Sequence, residues 1–326
     1  MNAEFHYYAV YYLCRRSGMD QERCTLIATS SQYVDNAIHS YEFSDAGGYR
    51  THVAQNYIFW DESTSRDIYL PFHFVPGDGE RAARERIDGA ASRWTVTPDS
   101  PLAKELLVDA LRTGDPFRIG IALHAYADTW AHQHFSGKLE AGNAVSAGSP
   151  LPPAGHLQAL RAPDDAGGSW IDGRLVPDLA SVINRERFLD AARKIYRYLR
   201  TSLRSDFMDE DFVLSDLDAV WRRSPNDMQA RLADFVVDLD VPPYDRRIWL
   251  AEAGIADETA DEAPIAGYDK LLWLRSELTR RSGAGDGIRR VHSGGRFSGS
   301  SLHRWNEAAR EHRERASRLL ASEGLL

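Results

Sequence analysis

No stretch of this sequence stays apolar for the roughly 18 residues that a membrane-spanning helix needs, so an integral helical membrane protein is not expected. Cysteine is almost missing. Cys14 and Cys24 are the only two, and neither belongs to a C-x-x-C pair. This excludes a disulfide framework and cysteine-rich metal knuckles, and predicts two reduced core residues in a cytoplasmic setting. Basic excess is missing as well: 39 Lys and Arg face 48 Asp and Glu, for a net charge of -9. Such a field repels polyanions, so no stable nucleic-acid binding is expected, and a phosphate substrate needs metal ions as its cationic partner. There is no G-x-x-x-x-G-K-[ST], no G-x-G-x-x-G after a strand, no G-x-S-x-G elbow and no adjacent His-Asp pair. Repeats, heptads and strand signals are scarce too. At the N-terminus, Arg15 and Arg16 follow the apolar run instead of preceding it, and no A-x-A site closes it. The segment therefore reads as mature structure and not as a signal peptide.

What is present is helical patterning. A chain of 326 residues, 43% of them hydrophobic, can bury a sizeable core, and length alone suggests about two domains. Residues 5–17 read as a helix stopped by Gly18. Asp20 caps a second helix running to about Ile38, and residues 41–66 read as partly helical. The run L-P-F-H-F-V-P-G-D-G over 70–79 predicts a rigid loop. A helix from Pro101 to Leu111 precedes the best-marked one, capped by Asp115, with Pro116 at its first position, and extending to 135. The Gly- and Pro-rich segment 136–183 reads as one long loop. Asn184 is expected to cap a long amphipathic helix, with more helices near 215–223, 225–238, 268–282 and 302–322. Residues 283–287 read as a turn and 293–301 as a flexible connector. Residues 206–262 are acidic and the last sixty lean basic, so the two faces attract.

The chemistry concentrates on the 116–135 helix. Residues four apart lie about 40° apart around a helix axis, so His124, Asp128 and His132 share a face. His134 points to one side, where it could serve a second ion beside Asp128. Three histidines and an aspartate within eleven residues, on a segment otherwise made of Ile, Leu, Ala, Tyr and Trp, put polar groups where burial is unfavourable unless they are paired or metal-bound. The alternative is that they only cap and pack the end of a core helix. Imidazole and carboxylate suit zinc, and iron or manganese would accept them.

The spacing H-x-x-x-D-x-x-x-x-x-H of His124, Asp128 and His134 resembles the zinc-dependent phospholipase C and fungal zinc-nuclease superfamily. The nearest likeness is to an uncharacterised bacterial branch with F-H-Y-Y, S-Q-Y-V-D, P-F-H-F-V-P and A-L-H-A-Y-A-D-T-W-A-H-Q-H-F in this order. The likeness covers about the first half of the chain. It implies an all-α, multi-helix single domain of that phospholipase C type, with a helical C-terminal extension. It also implies two or three zinc ions in a cleft and hydrolysis of a phosphodiester by metal-activated water. On this likeness His6, Asp35, His73, His124, Asp128, His134 and His156 are the metal ligands, with Asp35 and Asp128 in catalytic roles. His132 is either a further ligand or a group that orients one.

Two departures stand out. The family uses a terminal amine as a ligand, whereas here Met1 lies five residues before His6 and no cleavable leader is visible, which predicts an altered or missing site. The family's glutamate four residues past its last histidine is replaced by Leu160, leaving Asp164 or Asp165 to supply that carboxylate. Asp45 competes with Asp35. Tyr7 and Trp130 are expected to line the substrate entrance, while His39, His52, His292, His303 and His312 are expected on the surface.

The domain reading is a metal-binding helical core over 1–183, with a helical C-terminal half over 184–326 packed on it as one domain. The functional reading is a metal-dependent phosphoric ester hydrolase acting on a small-molecule or lipid phosphodiester. Its rivals are a non-catalytic, metal-stabilised binding protein and an effector or toxin delivered by a leaderless secretion system.

Overall fold

Asp115 accepts a hydrogen bond from the Phe117 amide, and Pro116 occupies the first helical position, where its missing N–H leaves no partner unsatisfied. From there helix α6 (Pro116–Ala131) runs buried along its entire length from Phe117 onward. A helix buried on every face belongs in the middle of a larger protein. The computed structural model, which describes residues 1–56, 61–90, 92–146, 148–255 and 288–326, places it there. Naming helices in chain order, a π-helical turn Glu4–Ala9 leads into α1 (Val10–Ser17), followed by α2 (Gln21–Asn36). Next come α3 (Glu62–Thr64), continued as a π-helix over Ser65–His73, then α4 (Gly79–Glu85) and α5 (Pro101–Thr113). After α6 the chain forms α7 (Asn184–Ser202), α8 (Glu210–Arg223), α9 (Met228–Asp238), α10 (Arg247–Glu252) and α11 (Ser301–Ser322). Helices α2, α5, α7 and α11 and the π-helix ending at His73 all pack on α6.

The main core gathers residues from Met1 to Leu319, including Phe5, Tyr126, Phe188 and Trp221. A second cluster forms around Tyr33, Phe72, Phe117 and Trp305. Among the described residues no helix is long and apolar enough to cross a membrane. Helix α2 crosses α6 closely at Gly120. A Cβ there would land on the Ile27 carbonyl oxygen and lie 2.5 Å from Ser30 Cβ. Glycine in a helix interior usually gives way to alanine with a gain near 1 kcal/mol. Gly120→Ala is instead expected to destabilise by about 1–3 kcal/mol, because backbone and a short side chain would have to move. Denaturant unfolding checks this, and unchanged stability would refute it. The crossing brings Asp35 of α2 to the face of α6 that carries His124.

The protein is mostly helical, but not wholly so. Strands β1 (Ser40–Phe43) and β2 (Tyr49–Arg50) pair antiparallel, and β5 (Ile288–Val291) runs parallel to β1 in the register Ser40 to Ile288. Strands β3 (Ser169–Ile171) and β4 (Ser181–Ile183) form a hairpin. The segment 41–66 is partly helical as expected, with a 3-10 turn over Ser44–Ala46, α3 and the start of the second π-helix, but it also carries β2 and most of β1. The hairpin, with short 3-10 turns, organises the expected long loop 136–183.

Other expectations are corrected at helix ends. The π-helix carries Pro71 inside it and reaches His73, where a rigid loop was expected. The wider i to i-5 pattern, closed by Phe74 N–H donating to Tyr69 O at 2.7 Å, tolerates a residue that lacks an N–H. Helix α6 ends at Ala131, not 135, because His134 N–H donates to Val96 O and Val96 N–H to Phe135 O, drawing the chain off the helix axis. Asn184 is not a cap but the first residue of α7. Its amide donates to the carbonyls of Ala162 and Asp165. The expected flexible connector 293–301 is packed: Phe297 is buried and stacks on Phe43, and Asp45 accepts from the amides of Ser293 and Gly295. His312, expected on the surface, is buried with Nε2 hydrogen-bonded to Pro71 O, and burial lowers its pKa to about 4. Cys14 and Cys24 are free and buried. The expected helix 268–282 and turn 283–287 lie outside the described residues.

Candidate metal centre

Five segments of the chain converge on one largely buried cluster. The first π-helix supplies His6, the end of α2 supplies Asp35, and the end of the second π-helix supplies His73. Successive turns of α6 supply His124 and Asp128, its C-cap supplies His132, and the segment before α7 supplies His156 and Asp164. These eight side chains form three groups: His6, His124 and Asp128; Asp35, His73 and His124; and His132, His156 and Asp164. Within each group the ligand-type atoms all lie within 4.8 Å of one another, and His124 belongs to two groups.

Asp128 is the hub. Its Oδ1 lies 3.0 Å from His6 Nε2, and its Oδ2 lies 3.2 Å from His73 Nδ1 and 3.3 Å from His124 Nε2. His132 Nδ1 stands 3.7 Å from Oδ2. Asp35 approaches His124 Nε2 at 3.8 Å and His73 Nδ1 at 4.0 Å. Asp164 approaches His132 Nε2 at 3.6 Å and His156 Nε2 at 3.5 Å.

Backbone carbonyls set three of the imidazoles. A carbonyl oxygen can only accept, so His73 Nε2–H donates to Ala54 O at 2.9 Å, His132 Nδ1–H to His73 O at 2.7 Å and His156 Nδ1–H to Leu160 O at 2.9 Å. In the neutral ring each then turns the lone pair of its other nitrogen toward a carboxylate of the cluster. Orienting one imidazole nitrogen through the other is how metal-binding histidines are normally held. Gly155, with φ +50°, lets Phe74 lie against this third group: its missing Cβ would be 2.7 Å from Phe74 Cζ, and Phe74 stacks on His132.

The nitrogen of Met1 reaches the same place. It contacts Asp128 Oδ1 and lies 3.4 Å from Asp164 Oδ1, in a buried position. Where an altered or missing site was expected in place of the family's terminal amine, the turn Glu4–Ala9 folds the first residues back over α6 and brings the Met1 nitrogen beside Asp128. Burial opposes charge on this amine, but Asp128, Asp164 and Asp35 raise its pKa to about 10. Burial would likewise raise both carboxyls, yet His132 and the Met1 nitrogen hold Asp128, and His156 and the Met1 nitrogen hold Asp164, well below the usual carboxylate range. Burial, helped by His124, presses His6 down to about 3. At His73 burial also pulls downward, but Asp128 outweighs it and raises the ring.

These residues fit a metal on structural grounds. His6 Nδ1, His124 Nδ1 and Asp164 Oδ1 are buried without a hydrogen bond, and His6 stacks on His124 at 3.7 Å. Such crowding of imidazoles and carboxylates is unfavourable unless the groups are paired or hold ions.

Of the residues expected at the site, His6, Asp35, His73, His124, Asp128 and His156 come together, and His132 and Asp164 join them. His134 does not. The chain turns at His132, leaving His134 at φ +66° with Nε2 3.3 Å from Glu85 Oε2. Asp45 binds the 293–295 turn instead, which leaves Asp35 as the second carboxylate beside His73, after Asp128. Tyr7 and Trp130 are 2% exposed, buried in the main core, so neither lines an entrance. Tyr7 packs on Tyr244, and Trp130 Nε1–H donates to Asp190. The Met1 nitrogen is the contributor that residue types could not reveal.

The chain belongs to the family of unknown function DUF6765, which matches it over residues 1–320. No curated protein and no solved structure shows a significant match.

Proposed function

We propose that this member of DUF6765 is a metal-dependent phosphodiester hydrolase of the zinc phospholipase C type, binding two or three transition-metal ions, with zinc preferred and iron or manganese acceptable to the same donors. One observation carries the reading: three His/Asp groups meet around Asp128 and share His124. When bound, clustered ions supply the charge that binds a phosphodiester oxygen and lowers the pKa of an attacking water.

The chain's own residues divide the remaining work. Asp128, 1% exposed and in contact with four of the five histidines and with the Met1 nitrogen, holds the centre together. Asp35 is 25% exposed and lies on the solvent side, where it takes the proton of the attacking water. Asp164 and His156, 18% and 12% exposed, form the other open edge. A site that gathers cations inside a chain of net charge -9 favours a small or lipidic phosphodiester over a long nucleic acid. The rival reading, a non-catalytic binding protein, rested partly on a missing carboxylate, and Asp164 now stands beside His132 and His156.

The test is elemental analysis of protein purified without a histidine tag, together with turnover of chromogenic and fluorogenic phosphodiesters with and without chelator. At least two ions per chain and chelator-sensitive turnover are expected. Less than one ion per chain overturns the reading.

A further inference from the structure

Arg231, on α9, is fully buried and stands 227 positions after Glu4 in the sequence, yet it joins two parts of the metal centre. Its Nε and Nη2 donate to Glu4 at 2.7 and 3.0 Å, a two-pronged pair with a carboxylate that is itself fully buried. Its Nη2 also donates to Asp165 Oδ1 at 2.5 Å, and its Nη1 donates to the carbonyls of Ser224 and Pro225 at 2.7 and 2.8 Å. Glu4 lies between Met1 and His6. Asp165 follows Asp164. One guanidinium thus fixes the strand of chain that carries Met1 and His6 against the loop that carries Asp164.

The loop is shaped to receive this contact. A Cβ at Gly167 would lie 2.5 Å from Arg231 Nη1 and 2.8 Å from Pro225 Cα, so the loop passes where only glycine fits. The amide of Asn184, at the start of α7, holds the same loop through Ala162 O and Asp165 O. A planar guanidinium matches two carboxylates and two carbonyls at once, a fit that an ammonium on a flexible stem does not reproduce.

We propose that Arg231 is a positioning residue of the metal centre: through Glu4 and Asp165 it sets the distance between the Met1–His6 segment and the group His132, His156 and Asp164. This rests on the reading of the site as a metal centre. It assigns the second half of the chain a part in that site, because the group it governs has its loop anchored by α7 and α9.

The experiment measures how fast zinc leaves the full-length, zinc-loaded protein on addition of excess chelator, counted in equivalents per chain, for the wild type, Arg231→Met, Arg231→Lys and the double variant Arg231→Met/Glu4→Gln. The double variant leaves no unpaired buried charge, so it separates positioning from the penalty of an orphaned carboxylate. In both Arg231→Met variants one equivalent is expected to leave about 10- to 100-fold faster, the range typical of lost outer support for a metal ligand. The remaining equivalents leave at the wild-type rate, and lysine restores the slow phase in part. A merely structural arginine would not act on one ion alone. Equal release from variant and wild type overturns the inference, as does uniform acceleration of every equivalent. If Arg231→Met does not fold, Asp165→Asn decides, with a smaller acceleration of the same equivalent expected and wild-type release overturning the inference. A wild-type chain that binds no zinc overturns the metal reading itself, and the inference with it.

Discussion

Asp128→Ala is expected to remove the metal centre and with it any phosphodiesterase turnover, leaving less than one ion per chain and a rate at least about 100-fold down. The lower bound follows from the loss seen when only an outer partner of a metal ligand is removed, up to about 100-fold; Asp128 contacts His6, His73, His124, His132 and the Met1 nitrogen directly. Its removal leaves those imidazoles and the amine buried without their common carboxylate. Breaking a buried charged cluster from one side typically destabilises by about 3–5 kcal/mol. Asp128→Asn separates the two effects. It keeps the side-chain shape and one acceptor oxygen but loses the charge, so it should fold better than the alanine variant while still failing to retain ions. Retention of the wild-type metal content by either variant would show that Asp128 organises packing and not a metal site.

How much of this centre could be read from the residues depends on which geometry each one relied on. His124 and Asp128 follow from helical spacing alone, because α6 is regular where they sit. His132 and His134 were separable only by knowing where the helix stops. An ideal helix continued to 135 leaves both as candidates, whereas the pairing of 134 and 135 with Val96 ends it at 131 and turns His134 toward Glu85. That pairing is tertiary, between segments almost forty residues apart, and no local pattern announces it. Pro71 misled for a related reason. Proline normally ends a helix, but a π-helical register carries the chain through it and delivers His73 to the site. The small sheet around Phe43 joins β1 to β5 across more than two hundred residues, and its strands of two to four residues are too short to show a period. Residue type suggests Tyr7 and Trp130 for an entrance, and burial beside Tyr244 and Asp190 takes both out of it. Asp164 was within reach of sequence reasoning as the first carboxylate after His156. The Met1 nitrogen was not, since a backbone group leaves no signature in composition.

Stripping the ions is expected to lower the thermal midpoint in at least two steps, and the order of those steps follows from burial. The group His132, His156 and Asp164 has two partly exposed members, His156 and Asp164 at 12% and 18%; the group of Asp35, His73 and His124 has one, Asp35 at 25%; and in the group His6, His124 and Asp128 none exceeds 1%. A chelator reaches the group with two exposed members first. That ion lies at the open edge, so turnover should vanish with the first equivalent while most of the fold persists. The later equivalents sit where α2, α6 and the two π-helices meet, and there the loss is larger. An ion held at a concentration 1,000 times its dissociation constant stabilises the folded state by about 4 kcal/mol. At about 2 °C per kcal/mol for a chain of this size, each inner ion lost should lower the midpoint by about 8 °C. The same titration on Asp128→Ala should show almost no chelator-dependent shift, because little is left to remove. Calorimetry of the wild type with stepwise chelator, read alongside turnover, checks the sequence of events. A midpoint that does not move while every ion leaves would mean that the buried imidazoles and carboxylates satisfy one another without metal, and the centre would then be a polar core and not a catalytic one.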